Sequence, residues 1–210
     1  MIAINNLKNK LMKTSGIILS LVLLTSITQA SGYKINDEAT DFSLKNVDGR
    51  PVSMKDFKDA KGFIVIFTCN HCPFSVAYED RIIALNNKYA GLGYPVIAIN
   101  PNDPIRQPAD SYEKMIVRSR EKGFTFPYIY DADQEIAKAY GASRTPHVYV
   151  IKNENGKRLV KYIGAIDNNA DDASKASSHF AEEAVDSLIE GKSVKVTETK
   201  AIGCSIKWKL

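Results

Sequence analysis

Two cysteines spaced as C-x-x-C are the residues of this chain best suited to chemistry. The motif Cys69-Asn70-His71-Cys72-Pro73 follows the apolar run 63–67 and precedes a helix-like stretch that continues to about Tyr89. At such a junction the free N–H groups and the dipole of the first helical turn favour a thiolate at the first sulfur. Because the thiolate is the reactive form, the motif predicts a dithiol that cycles with a disulfide.

His71 lies inside the motif, next to Cys72. A cationic histidine there would stabilise the Cys69 thiolate, lower its pKa and make the disulfide more oxidising. The alternative is a solvated loop histidine without effect. We therefore take Cys69, Cys72 and His71 as the candidate catalytic residues.

The alternative interpretation of the two cysteines is a zinc half-site or a pair of buried free thiols. Structural zinc usually takes four ligands from paired motifs, and only Cys204 and three histidines could complete the set here. The sequence therefore predicts no metal site and no bound cofactor. His147 would be the histidine to watch as a ligand, although a strand residue that adjusts local polarity is the preferred interpretation.

Cys204 lies far downstream, in the segment Ile202–Trp208. Three cysteines are too few for a disulfide scaffold, and an odd count is a reason to examine the extra thiol. Two alternatives stay open. Cys204 is an auxiliary thiol that attacks a disulfide in this molecule or a partner, or it is a free thiol packed beside the chain's one tryptophan.

The first thirty residues have the pattern of an export signal. Lys8, Lys10 and Lys13 precede the apolar stretch 16–27, and Thr28-Gln29-Ala30 supplies a small-residue cleavage site. The stretch is shorter than the roughly 20 residues of a spanning helix, although a retained anchor is the alternative. We expect an exported protein, periplasmic or secreted and from a bacterial envelope, without a stable membrane span after cleavage.

Loss of that segment changes the charge of the chain. It contains three lysines and no acid, so the formal charge falls from +4 to about +1. No basic aromatic patch remains to indicate nucleic acid. The expected organisation is a signal peptide at 1–30, one domain at 31–195 and a C-terminal tail at 196–210 that carries Cys204.

The order of elements predicts an α/β fold. Asp48-Gly49 indicates an N-terminal β-hairpin, and 62–67 and 94–99 read as buried strands. A helix over 111–122 is inserted before a short strand at 127–130, and a closing antiparallel hairpin follows His147. This alternation predicts a mixed central sheet with helices on both faces.

The chain resembles the thioredoxin-like superfamily in its redoxin branch, which holds the AhpC/TSA-like proteins, the TlpA-like thiol:disulfide oxidoreductases and the peroxiredoxins. The resemblance covers nearly all of the chain after residue 30. The residues that carry it are Ala39–Leu44, the strand that enters the C-x-x-C motif, Ala98-Ile99-Asn100, Tyr140-Gly141 and Thr145-Pro146.

This resemblance implies a thioredoxin-like fold in which Cys69 attacks a substrate disulfide and Cys72 resolves the mixed disulfide. It also implies a cis Thr145–Pro146 bond beside the site, with the Thr145 backbone holding the substrate. The implied partners are protein thiols or disulfides and a redox partner protein. One departure is that the strand 64–67 lacks the acid that thioredoxin buries there, so another base or water must accept the proton.

The leading hypothesis is an exported thiol:disulfide oxidoreductase, with the direction of electron flow left open. The alternative is a thioredoxin-like protein that handles copper or zinc through the same thiols. A thiol peroxidase is a weaker third interpretation, because position 69 holds cysteine where the peroxiredoxin pattern has threonine.

Overall fold

A computed structural model describes residues 32–210 of the chain. The predicted export signal at 1–30 lies outside the described residues. Within 32–210, no helix is both long enough and apolar enough to cross a membrane.

The centre of the molecule is a seven-stranded sheet in the order β2-β1-β5-β4-β3-β7-β8. Strands β3, β4 and β5 run parallel, whereas β1, β7 and β8 each pair antiparallel with a neighbour. The mixed sheet predicted from the sequence is therefore confirmed. The strands are β1 (Leu44–Asn46), β2 (Pro51–Val52), β3 (Gly62–Phe67), β4 (Val96–Asn100), β5 (Tyr128–Tyr130), β6 (Arg144–Thr145), β7 (His147–Glu154), β8 (Lys157–Gly164) and β9 (Cys204–Ser205).

Four helices cover the two faces of this sheet, and their bounds are α1 (Pro73–Tyr89), α2 (Tyr112–Lys122), α3 (Glu135–Tyr140) and α4 (Phe180–Ile189). Alternate residues of the buried strand β3 enter different apolar layers, as the two-residue period of a strand requires. Ile64 and Ile66 pack with residues of α1, α2 and α4. Phe63 and Val65 pack with residues of α3 and of the segment before β1. The prediction of helices on both faces is also confirmed.

The sheet brings three loops to one edge. Because β3 and β4 are parallel, the loops after Phe67 and Asn100 leave the sheet on the same side. Strand β7 starts opposite the end of β3, with His147 paired to Phe67. Thr145-Pro146 therefore lies directly beside the C-x-x-C loop.

The C-terminal segment returns to this edge and forms a second, two-stranded sheet. Strand β9 pairs antiparallel with β6, which sets Cys204 opposite Thr145 and Ser205 opposite Arg144. A side chain at Gly203 would meet the Thr145 carbonyl oxygen at 2.2 Å, so only glycine permits this close approach. The residues 203–209, here called the C-terminal strap, thus become part of the surroundings of the motif.

Candidate active site

The C-x-x-C motif occupies the junction between β3 and α1. Cys72 is the N-cap residue of α1, and Pro73 begins the helix where its missing N–H leaves no hydrogen bond unmade. All three cysteines of the chain are free thiols. Cys69 is 3% exposed and Cys72 is fully buried, whereas Cys204 is half-buried. Both motif cysteines are therefore free thiols that are shielded from solvent.

Three polar atoms surround the sulfur of Cys69. Its Sγ lies 3.2 Å from Thr145 Oγ1, 3.6 Å from His71 Nδ1 and 3.8 Å from Ser75 Oγ. The structure thus brings the predicted residues Cys69, His71 and Thr145 together. Ser75, from the first turn of α1, is an additional neighbour.

Asp110 is the site residue that sequence reasoning missed. It is fully buried at the end of the short turn Pro108–Asp110 that precedes α2. Its Oδ1 accepts hydrogen bonds from the N–H groups of Asn70 and His71, at 2.8 and 3.1 Å. Its Oδ2 accepts one from Asn102 Nδ2 at 2.7 Å and lies 2.5 Å from His71 Nδ1. The one available signal was its place in the loop after β4, which the parallel pairing brings beside the motif.

Asp110 changes the electrostatics expected for Cys69. Hydrogen bonding to Cys72, burial and the charge of Asp110 together raise the pKa of the Cys69 thiol, against a hydrogen bond from Thr145. The sequence predicts that His71 favours a thiolate at Cys69, and the His71 Nδ1 atom that lies 3.6 Å from the Cys69 sulfur also contacts the Asp110 carboxylate. In this reduced site the negative charge of Asp110 therefore opposes ionisation of Cys69.

Cys72 has the opposite surroundings. Its sulfur accepts a hydrogen bond from the Cys204 N–H at 3.4 Å, and its S–H donates one to the Thr145 carbonyl oxygen at 3.1 Å. A hydrogen bond from Cys69 lowers the pKa of Cys72 to about 4, against burial, and contacts with Cys204 and the Ser75 backbone add to this effect. These surroundings favour ionisation of Cys72 over ionisation of Cys69.

The remaining predicted residues lie on the strands next to the motif. The Thr145–Pro146 peptide bond is cis, and its carbonyl side faces Cys72. His147 is buried, and burial lowers its pKa to about 4. Its Nδ1 lies 3.5 Å from Tyr149 Oη and from the Ser143 nitrogen. These contacts place the His147 ring in the sheet and not among the groups that contact a thiol.

Cys69, His71 and Asp110 form a group with metal-ligand chemistry, since one ligand atom from each lies within 4.8 Å of the others. Both oxygens of Asp110 are, however, already engaged by N–H donors and by His71. A metal would have to displace those contacts. The Asp110 carboxylate therefore fits the role of a hydrogen-bonded anchor for the motif loop better than the role of a metal ligand.

Two solved structures are similar to this chain over most of its length. A conserved protein from Geobacillus kaustophilus has a TM-score of 0.78 and 36% identity, with 84% of this chain and 93% of that one covered. A protein from Sinorhizobium meliloti has a TM-score of 0.78 and 33% identity, with 85% and 96% covered. The similarity therefore extends over the C-terminal half as well as the motif.

Among curated relatives, the thiol-disulfide oxidoreductase ResA of Geobacillus thermodenitrificans is 26% identical over 133 residues. The match covers 62% of this chain and 70% of ResA. Residues 35–160, which are more than half of the chain, match the family model described as AhpC/TSA. With the sheet order and the thiol site described above, this confirms the resemblance: the chain belongs to the AhpC/TSA family of thioredoxin-like redoxins.

Proposed function

We propose that this protein is an exported thiol:disulfide oxidoreductase that uses Cys69 and Cys72 as a dithiol/disulfide couple on protein substrates. The observation that carries the proposal is the pair of free, buried thiols at the start of α1, beside Thr145-Pro146. The name of the relative ResA supports the same activity. No bound cofactor is required, because the electrons reside in the two sulfurs.

The proposed reductive reaction has two exchange steps. The Cys69 thiolate attacks one sulfur of a substrate disulfide, forming a mixed disulfide and releasing the other substrate sulfur as a thiolate. The Cys72 thiolate then attacks the Cys69 sulfur, which forms the Cys69–Cys72 disulfide and releases the second substrate thiolate. The substrate gains two electrons and the enzyme loses them, and substrate oxidation is the reverse sequence.

The surrounding residues have distinct roles in this proposal. Cys69 must lose a proton before it attacks, and the buried Asp110–His71 pair is close enough to receive it. This pair would supply the acid that the strand 64–67 lacks. Thr145 and Pro146 would position the substrate backbone. The lowered pKa of Cys72 favours the thiolate form of the resolving sulfur.

Export belongs to the same proposal. The positive start, the uncharged apolar stretch and the small residues before position 31 support a signal that directs the chain to the periplasm or the medium. An oxidising compartment would supply both disulfide substrates and a redox partner protein.

An equilibrium redox titration with thiol trapping and mass mapping tests the proposed function. We expect a Cys69–Cys72 disulfide whose occupancy follows the potential of a glutathione or dithiothreitol buffer. A midpoint of about −120 to −180 mV would mark an oxidant or isomerase, and one of about −270 mV a reductant. If Cys69 and Cys72 never pair, the proposed function is wrong.

Metal handling is a second candidate, because Cys69, His71 and Asp110 lie close together. The test is to mix the reduced protein with Zn²⁺ or Cu⁺ and to compare Cys69→Ser. Stoichiometric metal that is retained through dialysis and released by acid would favour metal handling. A thiol peroxidase would instead form a sulfenic acid at Cys69 with peroxide, which dimedone would trap.

A further inference from the structure

Neither motif thiol is open to a macromolecular partner in this structure. Cys69 is 3% exposed and Cys72 is fully buried, with the C-terminal strap paired along β6 beside them. Disulfide exchange requires direct attack of one sulfur on another. A large substrate therefore needs either movement of the strap or a sulfur that reaches the surface.

The strap is held in place by several independent contacts. Ile206 is 4% exposed and packs into the apolar layer on the α3 side of the sheet. The Lys207 N–H donates to Asn102 Oδ1 at 2.8 Å, and Gln134 Nε2 donates to the Lys207 carbonyl at 2.9 Å. Asn102 and Gln134 are themselves buried. Hydrogen bonds from these two buried side chains thus hold the strap and fix the position of Cys204.

The structure assigns Cys204 as a third redox cysteine, which forms a transient Cys72–Cys204 disulfide and carries the exchange between the buried motif and the surface. This inference rests on the proposed function and adds a residue to it. It stands on the hydrogen bond from the Cys204 N–H to Cys72 Sγ at 3.4 Å and on the pairing of Cys204 with Thr145. Cys204 is also the one half-buried thiol of the three.

The relay can be written with balanced steps. The Cys204 thiolate attacks the Cys72 sulfur of a Cys69–Cys72 disulfide, which forms Cys72–Cys204 and releases the Cys69 thiolate. A substrate thiolate then attacks the Cys204 sulfur and releases the Cys72 thiolate. A second substrate thiolate attacks the substrate sulfur of the mixed disulfide and releases Cys204. The substrate dithiol becomes a disulfide, and the enzyme gains the two electrons.

The charges around these sulfurs favour ionisation of Cys204 and the second step, whereas the raised pKa of Cys69 makes that thiol a poorer leaving group in the first step. Burial, with hydrogen bonding to Cys72 and its charge, raises the pKa of Cys204 to about 11, whereas Lys207 and Arg144 act in the opposite direction. Oxidation of Cys72 removes its charge and its hydrogen bond, so Cys204 becomes easier to ionise when the motif holds a disulfide. The low pKa of Cys72 also makes it a good leaving group in the second step.

The first test traps the inferred bond. The variant Cys69→Ser leaves Cys72 and Cys204 as its two thiols, and diamide oxidation at low protein concentration should give an intramolecular Cys72–Cys204 disulfide by mass mapping. The matched control is Cys69→Ser/Cys204→Ser/Ser205→Cys, which moves the thiol to the opposite face of β9. Absence of the bond in the first variant, or equal yield in the control, overturns the inference.

The second test measures exchange with a protein dithiol. Oxidised Cys204→Ser should react with reduced thioredoxin about tenfold more slowly than the parent, because the local sulfur partner is lost. The control Ser205→Ala keeps Cys204 and should retain the parent rate. An unchanged rate in Cys204→Ser overturns the inference alone. Failure of Cys204→Ser to form a Cys69–Cys72 disulfide would overturn the proposed function instead.

Discussion

Two segments outside the C-x-x-C motif lie next to its two sulfurs and have opposite effects on the pKa of the nearer thiol. The pKa of Cys69 is raised by hydrogen bonding to Cys72 and by burial, and the turn Pro108–Asp110 adds the charge of a buried carboxylate to these effects. The pKa of Cys72 is lowered to about 4, chiefly by the hydrogen bond from Cys69, and the C-terminal strap adds to this effect through the side chain and the backbone N–H of Cys204. The comparison teaches that segments distant in sequence add to a difference in pKa that begins with the hydrogen bond between Cys69 and Cys72.

The two segments also differ in how they are attached. Asp110 is a single side chain that accepts three N–H hydrogen bonds and contacts His71. The strap uses its backbone, one buried side chain and several hydrogen bonds spread over 203–209. One substitution should therefore disrupt the first segment more than any one substitution disrupts the second.

The largest expected effect is that of Asp110→Ala on stability. The N–H groups of Asn70 and His71 and the Asn102 amide would lose their acceptor in a buried place, which costs about 4 kcal/mol. Urea unfolding of the reduced protein measures the loss. The control is Asp103→Ala in the same loop, whose carboxylate accepts one hydrogen bond, from the Ile105 N–H. Equal stability of the two variants would contradict the anchoring role of Asp110.

Ile206→Ala should lower the free energy of unfolding by about 3 kcal/mol, since it removes most of a buried side chain of the strap from the apolar layer. The same change should speed alkylation of Cys72 by iodoacetamide, because the strap would open more often. Val196→Ala is the control, since Val196 is 42% exposed and its loss should change stability by at most about 0.5 kcal/mol. Unchanged Cys72 alkylation in Ile206→Ala would show that the strap does not cover that thiol.

Asp110→Asn should lower the pKa of Cys69, because the substitution removes a negative charge near the sulfur and so favours the thiolate. In a Cys72→Ser/Cys204→Ser background, the pH at which Cys69 alkylation reaches half its maximal rate should fall by about 1 to 2 units. Each unit corresponds to roughly 1.4 kcal/mol. Asp103→Asn serves as the matched control. A midpoint that stays in place or rises would mean that Asp110 does not set the Cys69 charge.

The smallest effect is expected at the two arginines that hold the strap. Arg144 Nη1 donates to the Gly203 carbonyl at 3.0 Å from a partly buried position, so Arg144→Ala should cost about 1 kcal/mol. Arg106 Nη1 donates to the Trp208 carbonyl at 3.0 Å, but this contact is exposed, so Arg106→Ala should cost about 0.5 kcal/mol or less. Thermal unfolding of both variants checks the order, and the reverse order would contradict it.

Much of the scaffold was predictable because its signals are local. The continuous apolar run of β3 and the Ser111 N-cap of α2 were identified from neighbouring residues, and Ser111 Oγ accepts a hydrogen bond from the Lys114 N–H. The two-residue strands β6 and β9 were not predicted. Their pairing depends on the return of the chain to the motif and leaves no periodic pattern.

The sequence by itself determined that two thiols stand at the start of a helix, next to a buried strand, and the family resemblance implied that a Thr-Pro turn lies beside them. Only the tertiary structure decided which sulfur faces a carboxylate and which faces a backbone N–H. Asp110 lies 40 residues after Asn70, and Cys204 lies 132 residues after Cys72. Contacts at such separations follow from strand order and packing, which no local pattern specifies, and here they add to the effect that the two motif cysteines have on each other's pKa.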